Sequence, residues 1–209
     1  GWSAEGEFQL DAPECKFSEM VYDTLRGRTV LYCGEDGEVF ERIFGAWVSM
    51  PQLDPEFDGN PGARKDFAMV YNPLSGKTML HGGRTGNFLP IYENFFWEWD
   101  GASWAKSEIA YENPEQCMFL NETEGADLGC IQPRFGHRMV YEPNTETVFM
   151  LGGCALGDKG VGPGQFYCSR PISVCAYENL NVQEPGMQIN EPNQQVFWYY
   201  NYGLWSRAS

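Results

Sequence analysis

The chain has 209 residues and a net charge of -15, from 14 Lys+Arg against 29 Asp+Glu. Nucleic acid and anionic membrane surfaces are therefore excluded as partners, because both are gripped through clustered basic side chains that this composition does not supply. At 43% hydrophobic and 15% aromatic the chain can build a core, and its 24 Gly and 13 Pro recur at intervals too short for a membrane span or a long helix.

Apolar i, i+3, i+4 runs of helical length are missing, which leaves short strands and frequent turns: an all-β protein. In chain order, the first strong signal is MVYDTLRGRTVLYCG (20–34), repeated as MVYNPLSGKTMLHGG (69–83) and MVYEPNTETVFMLGG (139–153). Each is an apolar strand, a polar turn and a second apolar strand ending in Cys-Gly or Gly-Gly. From Met to the penultimate residue the distance is always 13 positions (20 to 33, 69 to 82, 139 to 152). A hairpin of fixed register is predicted in each copy.

A second motif follows each hairpin: VFERIFGAW (39–47), FFWEWDGASW (95–104) and VFWYYNYGLW (196–205). In the middle copy Phe95, Trp97 and Trp99 alternate with Phe96, Glu98 and Asp100, the period of a strand. Asp100-Gly101 makes a tight turn, and Trp104 opens the returning strand. The unit is thus four strands, a to d, and its aromatic rings are expected in a core rather than on a ligand platform. Gly1-Trp2-Ser3 matches the start of a strand d (compare Trp205-Ser206). Residues 1–14 are accordingly read as strand d of a preceding unit with its connector. The first unit is 15–50, the second 51–110 with a leading loop, and the third 111–209 with long insertions.

This motif set resembles the kelch repeat, whose units carry Gly-Gly after the second strand, Tyr and Trp later on, and Arg-x-x-His ahead of the first strand. Arg134-Phe-Gly-His137 matches that last element; Arg64-Lys-Asp-Phe67 keeps only the Arg, and Cys15-Lys-Phe-Ser18 has neither residue. The resemblance implies a kelch-type β-propeller segment: three four-stranded antiparallel blades plus one strand of a preceding blade. Propellers typically have about four to eight blades, so the ring is incomplete. The chain is expected to be part of a longer protein or to close by pairing with another copy.

Insertions fall only in b–c and d–a connections. From the first residue of Cys-Gly or Gly-Gly to the strand-d Trp the distances are 14, 22 and 53 (33 to 47, 82 to 104, 152 to 205). From Trp to the next MVY they are 18, 22 and 35 (2 to 20, 47 to 69, 104 to 139). In an alternating four-stranded unit these two connections emerge on one face. Loops 50–64, 84–93, 107–133 and 154–194 therefore share a face, and long loops on a rigid scaffold are where binding concentrates. Glu122, Asp127, Phe166 and Tyr167 are the binding-loop candidates.

Seven cysteines, at 15, 33, 117, 130, 154, 168 and 175, lie at the same edge, and none forms a CxxC pair. Cys117 with Cys130, inside one loop, and Cys15 with Cys33, across the first hairpin, are the candidate disulfides. Cys154, Cys168 and Cys175 share the last insertion. Asn121-Glu122-Thr123 is an N-glycosylation acceptor pattern between two of the cysteines, with Asn121 as acceptor. Disulfides and a glycan would place the chain outside the cell or at its surface; free thiols in a cytoplasmic protein are the alternative.

Chemical motifs are sparse. The two histidines, His81 and His137, fall in the repeated strands and read as structural. Asp54-Pro-Glu-Phe-Asp58-Gly-Asn60 has the hard oxygens for calcium without EF-hand spacing. GDKGVGPG (157–164) lacks the following helix and Lys of a phosphate cradle. The leading expectation is a non-catalytic scaffold whose loops mediate protein–protein interaction or assembly, with no cofactor or metal site. The kelch resemblance also implies two alternatives: part of a galactose-oxidase-like copper-radical oxidase with ligands outside this segment, or a glycan-binding propeller.

Overall fold

A computed structural model describes residues 12–85, 89–91, 93, 95–108, 131, 133–156, 166–169, 187–189, 197–201 and 204–208. At 89–90, 108, 155–156 and from 166 onward the description is of the backbone alone. The segment 1–11, which holds the strand-d match at Gly1-Trp2-Ser3, lies outside the described residues.

Every described element is a strand. The first sheet is a meander of β1 (Glu19–Asp23), β2 (Arg28–Tyr32), β3 (Val39–Ile43) and β4 (Ala46–Ser49). The second is β5 (Ala68–Asn72), β6 (Lys77–His81), β9 (Phe95–Trp99) and β10 (Trp104–Glu108), with the two-residue strands β7 (Arg84–Thr85) and β8 (Leu89–Pro90) paired in its b–c connection. The third is β12 (Arg138–Glu142), β13 (Thr147–Leu151), β17 (Phe197–Asn201) and β18 (Leu204–Ala208). All three are antiparallel, and among the described residues they do not close into a ring.

Register repeats with the sequence. Met20 pairs with Leu31, Met69 with Leu80 and Met139 with Met150. The a–b turns are capped alike, as the constant spacing requires. Asp23 accepts from the Arg26 amide at 2.9 Å, Asn72 from the Leu74 amide at 3.0 Å, and Glu142 from the Asn144 amide at 3.0 Å. The last turn residue is left-handed in all three, with φ of 65° at Gly27, 69° at Gly76 and 53° at Glu146.

One expectation needs correction. The stretch 154–194 is not simply a loop: β14 (Gly153–Leu156), β15 (Phe166–Ser169) and β16 (Met187–Ile189) join β11 (Arg134–Phe135) in a fourth four-stranded sheet. Its β15–β16 pairing is parallel. The strands were hidden because each is short and embedded among Gly, Pro and polar residues, so no run shows sustained alternation.

The core lies between the repeated sheets. Val30, Tyr32 and Val39 of the first sheet pack against Met69, Leu80, Trp97, Trp99 and Trp104 of the second. On the other side, Val70, Met79 and Phe96 meet Val148 and Met150 of the third, with Ile131. The aromatic strand β9 is thus buried on both faces: Trp97 and Trp99 turn one way and Phe96 the other. Burying each Trp contributes roughly 2–3 kcal/mol. The Cα traces of neighbouring sheets approach at β1, β5 and β12, where the facing residues are Met and Val. The indoles stand on the third and fourth strands, where bulk fills the gap.

The Gly of each junction answers to close approach. A Cβ on Gly34 would collide with the carbonyl oxygen of Arg64, and one on Gly82 with that of Arg134. Each carbonyl belongs to the segment that leads into the next sheet.

Candidate functional site

The end of the sheets that carries the b–c and d–a connections holds a contact that recurs in all three copies. It is a latch between the segment before strand a and the residue after strand b. Arg64 Nη1 donates to the carbonyl of Gly82 at 2.8 Å, and Arg134 Nη1 donates to that of Gly152 at 3.1 Å. In the first copy the same positions are Cys15 and Cys33, and a disulfide joins them. All three latches span 18 residues. A covalent bond thus stands where the later copies use a guanidinium.

Arg64 is heavily engaged at this edge. Its two terminal nitrogens meet the two Glu93 oxygens at 2.8 Å each, and Nη2 also donates to the Pro61 carbonyl. Glu93 accepts in addition from Trp97 Nε1 at 3.0 Å. Arg64 is 3% exposed and Glu93 7%. Such a bidentate, desolvated pair fixes geometry more than it adds stability. Beside it Arg84 pairs with Asp66 and lies over the Phe135 ring, 5.2 Å from its centroid.

The two histidines meet at the junction of the second and third sheets. His81 Nδ1 lies 3.3 Å from His137 Nε2, and Phe96 lies against the His81 ring at 4.6 Å. Both imidazoles are fully buried. Burial, reinforced by the Arg134 and Arg64 charges, pulls His81 down to about 3. Burial and the neighbouring His81, Arg134 and Arg138 hold His137 well below its ordinary value. Both are therefore neutral, one ring nitrogen donating to the other. They were read singly as structural; their mutual contact was not foreseen.

The acidic loop 54–60 uses its carboxylates on backbone. Asp54 accepts from the amides of Asp58 and Gly59 at 2.9 and 3.2 Å, and Asp58 accepts from that of Lys106 at 2.9 Å. Among the described residues no three His, Cys, Asp or Glu side chains are grouped to hold a metal ion. No helix among them is long and apolar enough to cross a membrane.

No protein-family model matches this chain, and no curated protein is similar to it at a significant level.

Of the predicted site residues, Cys15 and Cys33 come together as a disulfide with Cα atoms 5.2 Å apart. Cys154, 1% exposed, is also disulfide-bonded, to a partner outside the described side chains. The backbone of Cys168 stands opposite it in the β14–β15 ladder. Phe166 and Tyr167 lie on strand β15 rather than in a loop; their side chains, like Cys117, Asn121, Glu122, Asp127, Cys130 and Cys175, lie outside the description.

Sequence reasoning missed the latch. Its signal was present: Arg64, Arg134 and Cys15 each precede the first residue of Gly-Gly or Cys-Gly by the same interval. Glu93 had no such signal, because it sits in an insertion that the other copies do not share.

Proposed function

We propose that this chain is a kelch-type β-propeller segment that acts as a non-catalytic scaffold for protein–protein interaction or assembly, outside the cell or at its surface. Its insertions, taken as loops with the added strands β7–β8 and β14–β16, form the binding face. The observation that carries the functional reading is that every insertion leaves from the same end of the three sheets, while at the opposite end the three a–b turns are short and internally capped.

The propeller reading rests on the way the sheets are splayed. Sheets stacked flat stand about 10 Å apart, which would put β1 and β12 some 20 Å from each other across the second sheet. Instead Arg138 Nη1 of β12 lies 3.4 Å from Glu19 Oε1 of β1. First strands drawn together, with indoles filling the gap further out, fit blades around a common axis. The Cys15–Cys33 bond and a third bonded cysteine, Cys154, support an oxidising compartment.

Blocks of alanine substitutions in 109–130 and in 157–165, sparing the cysteines, are expected to abolish partner capture while leaving the circular dichroism spectrum intact. Substitutions at the exposed turn residues Leu25, Leu74 and Asn144 are expected to leave capture unchanged. The opposite pattern would move the binding face to the turn end.

A further inference from the structure

The repeated Met-Val-Tyr of strand a is buried to different degrees in its three copies, and the difference follows a rule. In the second copy Met69, Val70 and Tyr71 are all buried. Met69 belongs to the core shared with the first sheet and Val70 to the core shared with the third. Alternation along a strand makes this general: Met and Tyr face the preceding sheet, and Val faces the following one. Val21 accordingly packs toward the second sheet, and Met139 and Tyr141 do the same from the third.

Among the described residues that rule leaves one face of each kind exposed at strand a. Met20 and Tyr22 are each 57% exposed, on the side of the first sheet where a preceding sheet would stand. Phe40 and Trp47, half-buried, share that face through the β1–β2–β3–β4 ladder. At the other end Val140 is 59% exposed and half-buried Phe149 stands opposite it in register. The two junctions within the chain are both of the form Val face against Met/Tyr face, so the uncovered faces are the two halves of a third such junction.

We propose that a second copy of this chain occupies them, the Val140 face of each protomer seating on the Met20/Tyr22 face of the other. The argument is continuity: the contact repeats, residue type for residue type, the junctions that already join β1 to β5 and β5 to β12. It is a heterologous contact, and such contacts build a closed ring when the rotation per unit completes a turn. Two copies, each with the three repeated sheets of the described residues, make six, within the range of about four to eight blades over which propellers close. The proposal rests on the propeller reading above, since flat sheets would extend into a filament.

The test is the mass of the purified chain by light scattering across a concentration series, with variants at either face. The expected result is twice 23.7 kDa for the wild type and a shift toward the monomer mass for Val140→Glu and for Met20→Glu. Equimolar mixing of those two variants should restore a dimer through the one intact junction, which an isologous contact cannot do. A monomer at every concentration, a dimer indifferent to Val140→Glu, or an open ladder of higher masses would each overturn the proposal. Electron-microscopic projection averages separate its failure from that of the underlying reading. A monomer of three lobes arranged in an arc removes only the second copy, whereas three lobes in a flat row remove the propeller as well.

Discussion

Replacing Cys15 and Cys33 together by alanine should remove the covalent latch without leaving a lone thiol at a buried position. The bond closes a loop of 18 residues, for which the chain-entropy relation gives a loss of about 3 kcal/mol. For a chain of this length each kcal/mol lowers Tm by roughly 2–4 °C, so a fall of about 6–12 °C is expected. The second disulfide, at Cys154, stays intact under oxidising conditions, which makes the substitution cleaner than a reductant. Sheets in a repeat array depend on their neighbours, and the loss should be concentrated in the first one. Urea titration gives the magnitude. Trypsin cleavage at Arg26, in the β1–β2 turn, and at Arg28, which opens β2, gives the location and should accelerate against wild type. A loss below about 1 kcal/mol, or amide exchange that rises equally in all three sheets, would refute the role assigned to this bond.

Other consequences follow from the same edge and its turns. Arg64→Met leaves Glu93 as a buried carboxylate without its cation and should cost about 3–5 kcal/mol in urea unfolding, while Arg64→Met with Glu93→Leu should recover most of that loss. Glu146→Gly relieves a left-handed side-chain residue at the position where the other copies have Gly27 and Gly76; it should raise stability by about 0.5–1 kcal/mol, read from the urea midpoint. Stability should be level above pH 6.5, the ordinary histidine value, and fall below it, because the unfolded chain takes up protons that buried His81 and His137 refuse. The slope is up to about 1.4 kcal/mol per pH unit for each histidine, and His137→Phe should flatten it. Asp23, Asp100 and Glu142, whose carboxyls are held low by their hydrogen bonds against the opposing effect of burial, add their own loss only below pH 4.5. Glu19, raised mainly by burial, acts in the opposite sense above pH 4.5, as one group against the two histidines.

The repeated hairpins could be read from the residues because period-2 burial and a constant turn leave only one register. Met20, Met69 and Met139 occupy equivalent rungs for that reason, and Trp97 and Trp99 fall on one face of β9 as their alternation requires. What lay beyond reading depends on contacts between distant segments. Nothing local marks Glu19 and Arg138 as partners across the intervening second sheet. Glu93 is the lone acidic residue of a short insertion, and its pairing with Arg64 follows only from the path of the backbone. The strands at 153–156 and 166–169 take their order from pairing with each other and with Arg134–Phe135, not from propensity. The cysteines were an intermediate case: Cys15 and Cys33 flank one hairpin and pair across it, whereas nothing in the sequence singles out a partner for the third bonded cysteine, Cys154.

The proposed arrangement of the three repeated sheets about a common axis is tested most directly by the contact between Glu19 and residue 138. In an Arg138→Lys variant a zero-length carbodiimide coupling should join Glu19 to the new amine, recovered by peptide mass spectrometry from the monomer band of a denaturing gel. The pair Lys77 and Glu98, 2.9 Å apart within the second sheet, is the internal control. Recovery of both cross-links is the predicted result. Recovery of the Lys77–Glu98 link without any link to Glu19 would contradict the radial arrangement.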